Sequence, residues 1–251
     1  MSAYAALTGA GFRAQTRDKA TLFFTFAFPL LFLVIFGLIF RGQKIPETGR
    51  PYISYTAPGV LSWGVANAAV FSVAFTLMRW RGSDLLRLIR MTPTKLTTVL
   101  GSRYVLALIV VAAQSVLFIA AGMLPVFGLK IDGRWPLVIP VLVLGVTAFL
   151  SIGAFVGNLA NTSESVSAIA NCMMVPMAFL SGSFLPLEEM PSWVGTLSWA
   201  LPLRYLNNGV SDSLTGSGSL GDIAVAAGGL AAFTLVFCLL TLKTFRWSNS
   251  S

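Results

Sequence analysis

YVLALIVVAAQSVLFIAAGMLPVFGL, from Tyr104 to Leu129, runs for 26 residues without a charge. A helix of roughly 20 mostly apolar residues spans the hydrocarbon core of a bilayer. A helix that lies on a water-soluble domain needs a polar face, and a run of this length without a charged residue offers little of one. Five further stretches read the same way: Thr21 to Phe40, Tyr52 to Met78, Trp135 to Ser163, Ser165 to Leu187 and Ile223 to Leu242. The spans predicted from them are about 21–40, 55–78, 104–127, 136–160, 165–186 and 222–242. The fold class is therefore all-α integral membrane, a single transmembrane domain over 1–251 with six transmembrane helices.

Composition excludes the soluble alternatives. Of 251 residues 56% are hydrophobic and only 10% are charged, with a mean hydropathy of +0.81. A soluble domain carries about 25% charged residues to cover its wet surface. There is no histidine, which removes the commonest general base and the commonest transition-metal ligand. Cys172 and Cys238 lie far apart in apolar runs and form neither a metal spacing nor a disulfide framework. They read as small buried hydrophobes. The first span is too long and too far from the start for a cleaved signal peptide.

The net charge of +8 follows from topology. An even number of spans puts both ends on one side. With the N-terminus inside, the inner segments hold 11 basic residues: Arg13, Arg17, Lys19, Arg79, Arg81, Arg87, Arg90, Lys95, Arg103, Lys243 and Arg246. The outer segments hold 6: Arg41, Lys44, Arg50, Lys130, Arg134 and Arg204. The positive-inside rule then predicts both termini in the cytoplasm. Since the bilayer accounts for the excess charge, nucleic acid is not a predicted partner.

Before the first span, residues 1–19 place Tyr4, Ala5, Leu7 and Phe12 on one helical face and Arg13 and Arg17 opposite. That pattern predicts an interfacial amphipathic helix. Gly42 to Arg50 and the Gly/Ser run Thr215 to Gly221 read as loops. No GxxxxGK[ST] loop occurs, so ATP is not bound by that route. No predicted span carries an acid or base near its centre. Such a charge costs about 2.5–3.5 kcal/mol and is kept for work such as ion coupling. Energy for active transport would therefore come from outside this chain; otherwise passage is passive.

Two segments carry the functional signal. RWRGSDLLRLIRMTPTKLTTVLGSR, Arg79 to Arg103, joins the second and third spans. Ser83 and Asp84 suit a helix start; Leu85, Leu88 and Ile89 share one face with Arg87 and Arg90 opposite, and Pro93 stops the helix. This is either a positive-inside anchor or a docking surface for a cytoplasmic partner. FLSGSFLPLEEMPSWVGTLSWALPLRYL, Phe179 to Leu206, is interrupted by Gly182, Pro186, Pro191 and Pro202, with Glu188 and Glu189 between them. Broken backbone at membrane depth is tolerated only where protein or a wet cavity satisfies it. The segment therefore predicts a re-entrant outer gate, with Trp193 and Trp199 at headgroup level. Met190 to Leu203 within it is too short and Pro-rich to cross.

The order of these parts resembles the type-2 ABC transporter permeases over nearly the whole chain. The most specific likeness is the second segment, with its Ser-Gly, Phe, Pro, acidic turn, Pro-x-Trp and closing Pro-Leu-x-Tyr. Size and spacing are similar to the daunorubicin-resistance type of drug and lipid exporter. The resemblance implies that Ser83 to Met91 is a coupling helix seated in a groove of an ATPase subunit, with Arg81, Ser83, Asp84, Leu85, Leu88, Ile89 and Arg90 as its contacts. Where the family has a Glu-rich start with Gly-Thr, this chain has Arg79, Arg81, Gly82, Ser83 and Asp84, which implies a dedicated ATPase. It further implies two phosphate-loop ATPase subunits that hold ATP and Mg, with no cofactor or metal on this chain and no catalytic residue. A second permease copy, a homodimer in preference to a heterodimer, and a bacterial plasma membrane complete the expectation.

Candidate cargo contacts are Asn67, Phe71 and Phe75 on the second span, and Asn171, Met174 and Met177 on the fifth. Met and Phe surfaces adapt to varied apolar molecules, although helix packing would use the same residues. The predicted function is the permease half of an ATP-driven exporter for an amphipathic drug or lipid-like molecule. Alternatives are a polysaccharide or glycolipid permease, a passive channel or membrane scaffold and, least favoured, a membrane-embedded enzyme.

Overall fold

A computed structural model describes residues 8–9, 11–13, 16–46, 49–83, 96–131 and 134–244. Among them the architecture is helical, with one isolated bridge between Lys44 and Pro51 and no named strand. In order come Lys19–Leu22 (α1), a π-helical turn Phe23–Ala27, Phe28–Ile39 (α2), Ile53–Gly82 (α3) and Leu96–Gly122 (α4). Then follow Val138–Leu159 (α5), Ser163–Leu180 (α6), Ser192–Ser198 (α7), Pro202–Thr215 (α8) and Leu220–Thr244 (α9). Five segments, Ile53–Gly82, Gly101–Gly122, Trp135–Leu159, Ser163–Leu180 and Leu220–Thr244, are long and apolar enough to cross a bilayer; the apolar helix Phe23–Ile39 is shorter. The chain is thus a multi-pass membrane protein.

Sequence explains the irregularities. Pro29 has no amide hydrogen to give the carbonyl four residues back, and just before it the helix widens so that Phe28 N–H donates to Phe23 O. α4 ends at Gly122, within the predicted 104–127 span; Met123–Leu129 folds back, with Leu129 N–H donating to Gly122 O at 3.0 Å. The Phe127 ring of that turn lies where a side chain on Gly37 would stand, so α2 needs glycine there. Of the proposed interfacial helix, Tyr4, Ala5 and Leu7 lie outside the described residues; Phe12 and Arg13 are both exposed.

α3 and α5 form the centre of the fold. A Cβ on Gly153 would stand 2.4 Å from Val70 O, and one on Gly157 2.6 Å from Ala74 O. Glycines one turn apart on α5 therefore let the two backbones touch, which is how helices gain packing energy where lipid is as apolar as the core. Val60, Val65, Ala66, Val70 and Ala74 of α3 and Val146, Phe149 and Val156 of α5 are fully shielded. α8 and α9 pack against α5. Leu206 of α8 fills the space over Gly145, and Gly209 meets Val141 and Ala226. Leu206 therefore sits seven residues into α5, or about 10 Å along its axis, and Gly209 nearer the start.

α8 was not foreseen, since the predicted gate segment stopped at Leu206 and the next element read was the loop Thr215 to Gly221. Its inner face is Leu203, Leu206, Asn207, Val210, Ser213 and Leu214, a helical period in which the polar members hide the pattern. Gly216, with φ +63°, closes it in the left-handed conformation that glycine adopts freely.

Candidate functional site

At one end of the bundle Arg81, in the last turn of α3, is only 3% exposed. Its Nη1 donates to Gly157 O at 3.1 Å and to Asn158 O, and its Nη2 to Asn161 Oδ1 at 2.9 Å. These acceptors end α5 and begin the turn into α6. Helix C-terminal carbonyls carry the negative end of the dipole and lack partners within the helix. A guanidinium buried against them meets its match, whereas one buried alone would cost several kcal/mol. Asn158 extends the link, its Nδ2 donating to Thr244 O at 2.6 Å and to Thr244 Oγ1 at 3.0 Å at the end of α9. On the other side of α3, Arg103 of α4 stands 5.5 Å over the Trp80 ring, a cation–π contact.

Ser83 closes α3, its hydroxyl donating to Arg79 O at 2.8 Å. The expected coupling residues Asp84, Leu85, Leu88, Ile89 and Arg90 lie outside the described residues. Arg81, assigned to the same docking face, turns inward onto α5.

The opposite end is built around the broken segment. α6 stops at Leu180, within the predicted 165–186 span, and the chain turns at Gly182 with φ +75°. A Cβ there would meet Tyr55 Oη at 2.5 Å, so both space and conformation demand glycine. Ser183 O crosses α3 so closely that a Cβ on Gly59 would lie 2.0 Å from it. Phe184 then packs against Phe32 at 5.5 Å and Trp63 at 5.3 Å. Trp63 is ten residues into α3, about 15 Å along its axis. Irregular backbone therefore enters the bundle, and Asn207 of α8 satisfies it: its Nδ2 donates to Ser183 Oγ at 2.9 Å and Ser181 O at 3.2 Å.

The three prolines of this segment start helices. Pro186 precedes the 3-10 turn Leu187–Glu189, Pro191 precedes α7, and Pro202 opens α8. A helix start leaves amides unbonded anyway, so proline costs little there. Glu188 is exposed. Its neighbour Glu189 accepts a hydrogen bond from Tyr52 Oη, linking the segment to the start of α3. Burial, aided by that carboxylate, pushes the Tyr52 phenol up to about 12. Arg204 lies 3.8 Å over the Trp199 ring and donates to Gly195 O at 2.7 Å, fastening α7 to α8.

The proposed cargo residues divide. Asn67, Phe71 and Phe75 share a half-buried face of α3; the two rings stack at 5.8 Å, and Asn67 Nδ2 donates to Trp63 O at 2.9 Å. Met174 and Met177 are packed in the core, while Asn171 is exposed. A residue the sequence reading passed over is Gln114 of α4. It is 2% exposed, and neither end of its amide has a hydrogen-bond partner among the described residues. The amide lies across α3 at Gly64, where a Cβ would stand 2.7 Å from Nε2. An amide inside an uncharged run was the available signal.

The sequence resembles the type-2 ABC transporter permeases, and its broken segment and the basic end of α3 lie at opposite ends of the bundle. Sequence comparison agrees: the profile of ABC-2 type transporters matches residues 2–215, nearly the whole chain. The chain belongs to the ABC-2 type transporter family. This ABC-2 transporter chain is similar to the daunorubicin resistance ABC transporter permease protein DrrB1 of Streptomyces coeruleorubidus, 24% identical over 239 residues, covering 88% of this chain and 78% of that protein. It is similar to the inner membrane transport permease YadH of Escherichia coli, 22% identical over 217 residues, 84% of this chain and 81% of that one. A shorter match, 30% identical over 100 residues, covers 40% of this chain and only 26% of the inner membrane transport permease YhhJ of the same species. The ABC-2 match ends at Thr215, where α8 ends. Both the Arg81 end and the broken segment therefore lie in the part shared with the ABC-2 family, and α9 lies beyond it.

Proposed function

We propose that this chain is the permease subunit of an ATP-driven exporter of an amphipathic drug or lipid-like molecule in a bacterial plasma membrane. The observation that carries the reading is the ABC-2 match along 2–215, together with the similarity to a permease named for daunorubicin resistance. The helix Phe23–Ile39 with its α1 lead-in serves as the first of six spans, and both termini are cytoplasmic. The Arg81 end then faces the cytoplasm, and the broken segment faces out as a re-entrant gate of Gly182, Pro186, Glu188, Pro191 and Pro202.

Two copies enclose the path. A cavity of about 60 Å³ between α8 and α9, lined by Trp199, Tyr205, Asn208, Asp212 and Asp222, is far below the roughly 300 Å³ that a drug-sized ligand needs. The cargo site is assigned to a space between the two copies, with Asn67, Phe71 and Phe75 facing it. Two separate ATPase subunits bind ATP and Mg and dock on Ser83 to Met91. Their closure on ATP draws the coupling segments together and opens the path outward. Transport follows because cargo binds the inward state more tightly than the outward one.

The test is reconstitution with a candidate phosphate-loop ATPase subunit. ATP hydrolysis stimulated by daunorubicin supports the drug reading; stimulation by a glycolipid alone replaces it with the glycan reading; no assembly sinks both and leaves a channel or scaffold. The double substitution Leu85→Asp, Leu88→Asp is expected to release the ATPase in a pull-down, and retained binding would refute the coupling role.

A further inference from the structure

We propose that Arg81 is the positioning residue that carries displacement of the coupling segment into α5, the α5–α6 turn and α9. This rests on the exporter reading above and adds to it a route through the fold. Arg81 stands two residues before Ser83, where α3 gives way to that segment. One guanidinium engages two carbonyls at the end of α5 and the side chain of Asn161 in the following turn. Asn158, held through its carbonyl by Arg81, grips Thr244 at the end of α9 through its amide. Four points of the bundle are thus tied by one polar chain: the end of α3, the end of α5, the α5–α6 turn and the end of α9.

The surroundings favour transmission over slack. Gly153 and Gly157 bring α5 onto the α3 backbone, so the pair cannot slide laterally without a steric clash. Trp80, next to Arg81, takes Arg103 from the start of α4. Both flanks of the coupling segment are therefore fastened to the same platform. Beyond the turn, Thr162 caps α6 by accepting from Ser165 N–H at 3.1 Å. Arg81 sits at the joint between the closely packed α3–α5 pair and the turn into α6. A lysine could neutralise the helix end but lacks the planar fork through which guanidinium engages these three acceptors.

The experiment uses the reconstituted permease–ATPase complex with nitroxide labels on the two native cysteines, Cys172 on α6 and Cys238 on α9, which the structure exposes where the sequence reads them as buried. Their distance distribution is measured by electron–electron double resonance with and without ATP, Mg and vanadate, beside the ATP hydrolysis rate. The wild type is expected to shift with nucleotide. In Asn158→Leu the shifted population is expected to fall roughly tenfold while hydrolysis continues, a coupling loss of ordinary size. Arg81→Met is expected to lose the shift, and Arg81→Lys to recover little of it. Asn161→Ala removes one bond at an exposed turn and gives an intermediate shift in a chain that folds. Wild-type-like shifts in Asn158→Leu and Asn161→Ala overturn the proposal, including where Arg81→Met fails to assemble, because Arg81 is then structural only. A wild-type complex that hydrolyses ATP without any shift overturns the proposal and leaves the exporter reading standing. A wild-type chain that binds no ATPase removes the exporter reading, and this proposal falls with it.

Discussion

Gly153 and Gln114 show how much a single side chain decides inside a membrane bundle. At Gly153 the α3 backbone occupies the place of a Cβ, and backbone cannot rotate away. Gly153→Ala should cost about 1–3 kcal/mol by overpacking, seen as a lower midpoint in thermal unfolding of the detergent-purified chain; an unchanged midpoint would mean that the helices are not in contact there. Gln114 is the opposite case. Its amide is buried with no partner among the described residues, and a lost hydrogen bond of that kind costs about 1–3 kcal/mol. Gln114→Met keeps length and removes the orphan, so the unfolding midpoint should rise. A fall would indicate that the amide is satisfied in the membrane. Neither residue stood out in the sequence. A search for charges passes over an amide, and a glycine in a span has the same letter whether it faces lipid or a neighbouring backbone.

At the scale of elements the instructive piece is α8. Long apolar spans were legible because their pattern needs no partner, but α8 is half polar and depends on its surroundings. Asn207 serves as its inward polar tooth, giving hydrogen bonds to Ser181 and Ser183. Asn207→Leu should leave those groups unmatched, cost about 1–3 kcal/mol and raise hydrogen exchange of the Ser181–Leu187 amides. Unchanged exchange there would show that the broken segment stands without α8. The prolines were read correctly as interruptions, but each one is also a beginning, since Pro186, Pro191 and Pro202 precede or open helices. The direction of Arg81 was not legible either. In a row of basic residues from Arg79 to Arg90, only packing distinguishes one that caps a helix from one that meets water or a partner.

For the whole molecule the outstanding question is sidedness, and it has a direct measurement. Reporter fusions after Arg50 and after Lys130 should report the outside, and fusions after Ser83 and at the C-terminus the cytoplasm. A cytoplasmic signal after Arg50 would refute the six-span order built on the Phe23–Ile39 helix. The sequence by itself determined that this chain is a multi-pass membrane protein and which family it resembles. Those properties depend on composition, period and order along one chain, which hydrocarbon reads locally. Only the tertiary structure decided that Arg81 ties α3 to α5, that glycines seat α5 on α3, and that α8 returns into the bundle to hold a broken segment. Each of these is a match between groups distant in sequence, and its energy exists only when both are brought together out of water.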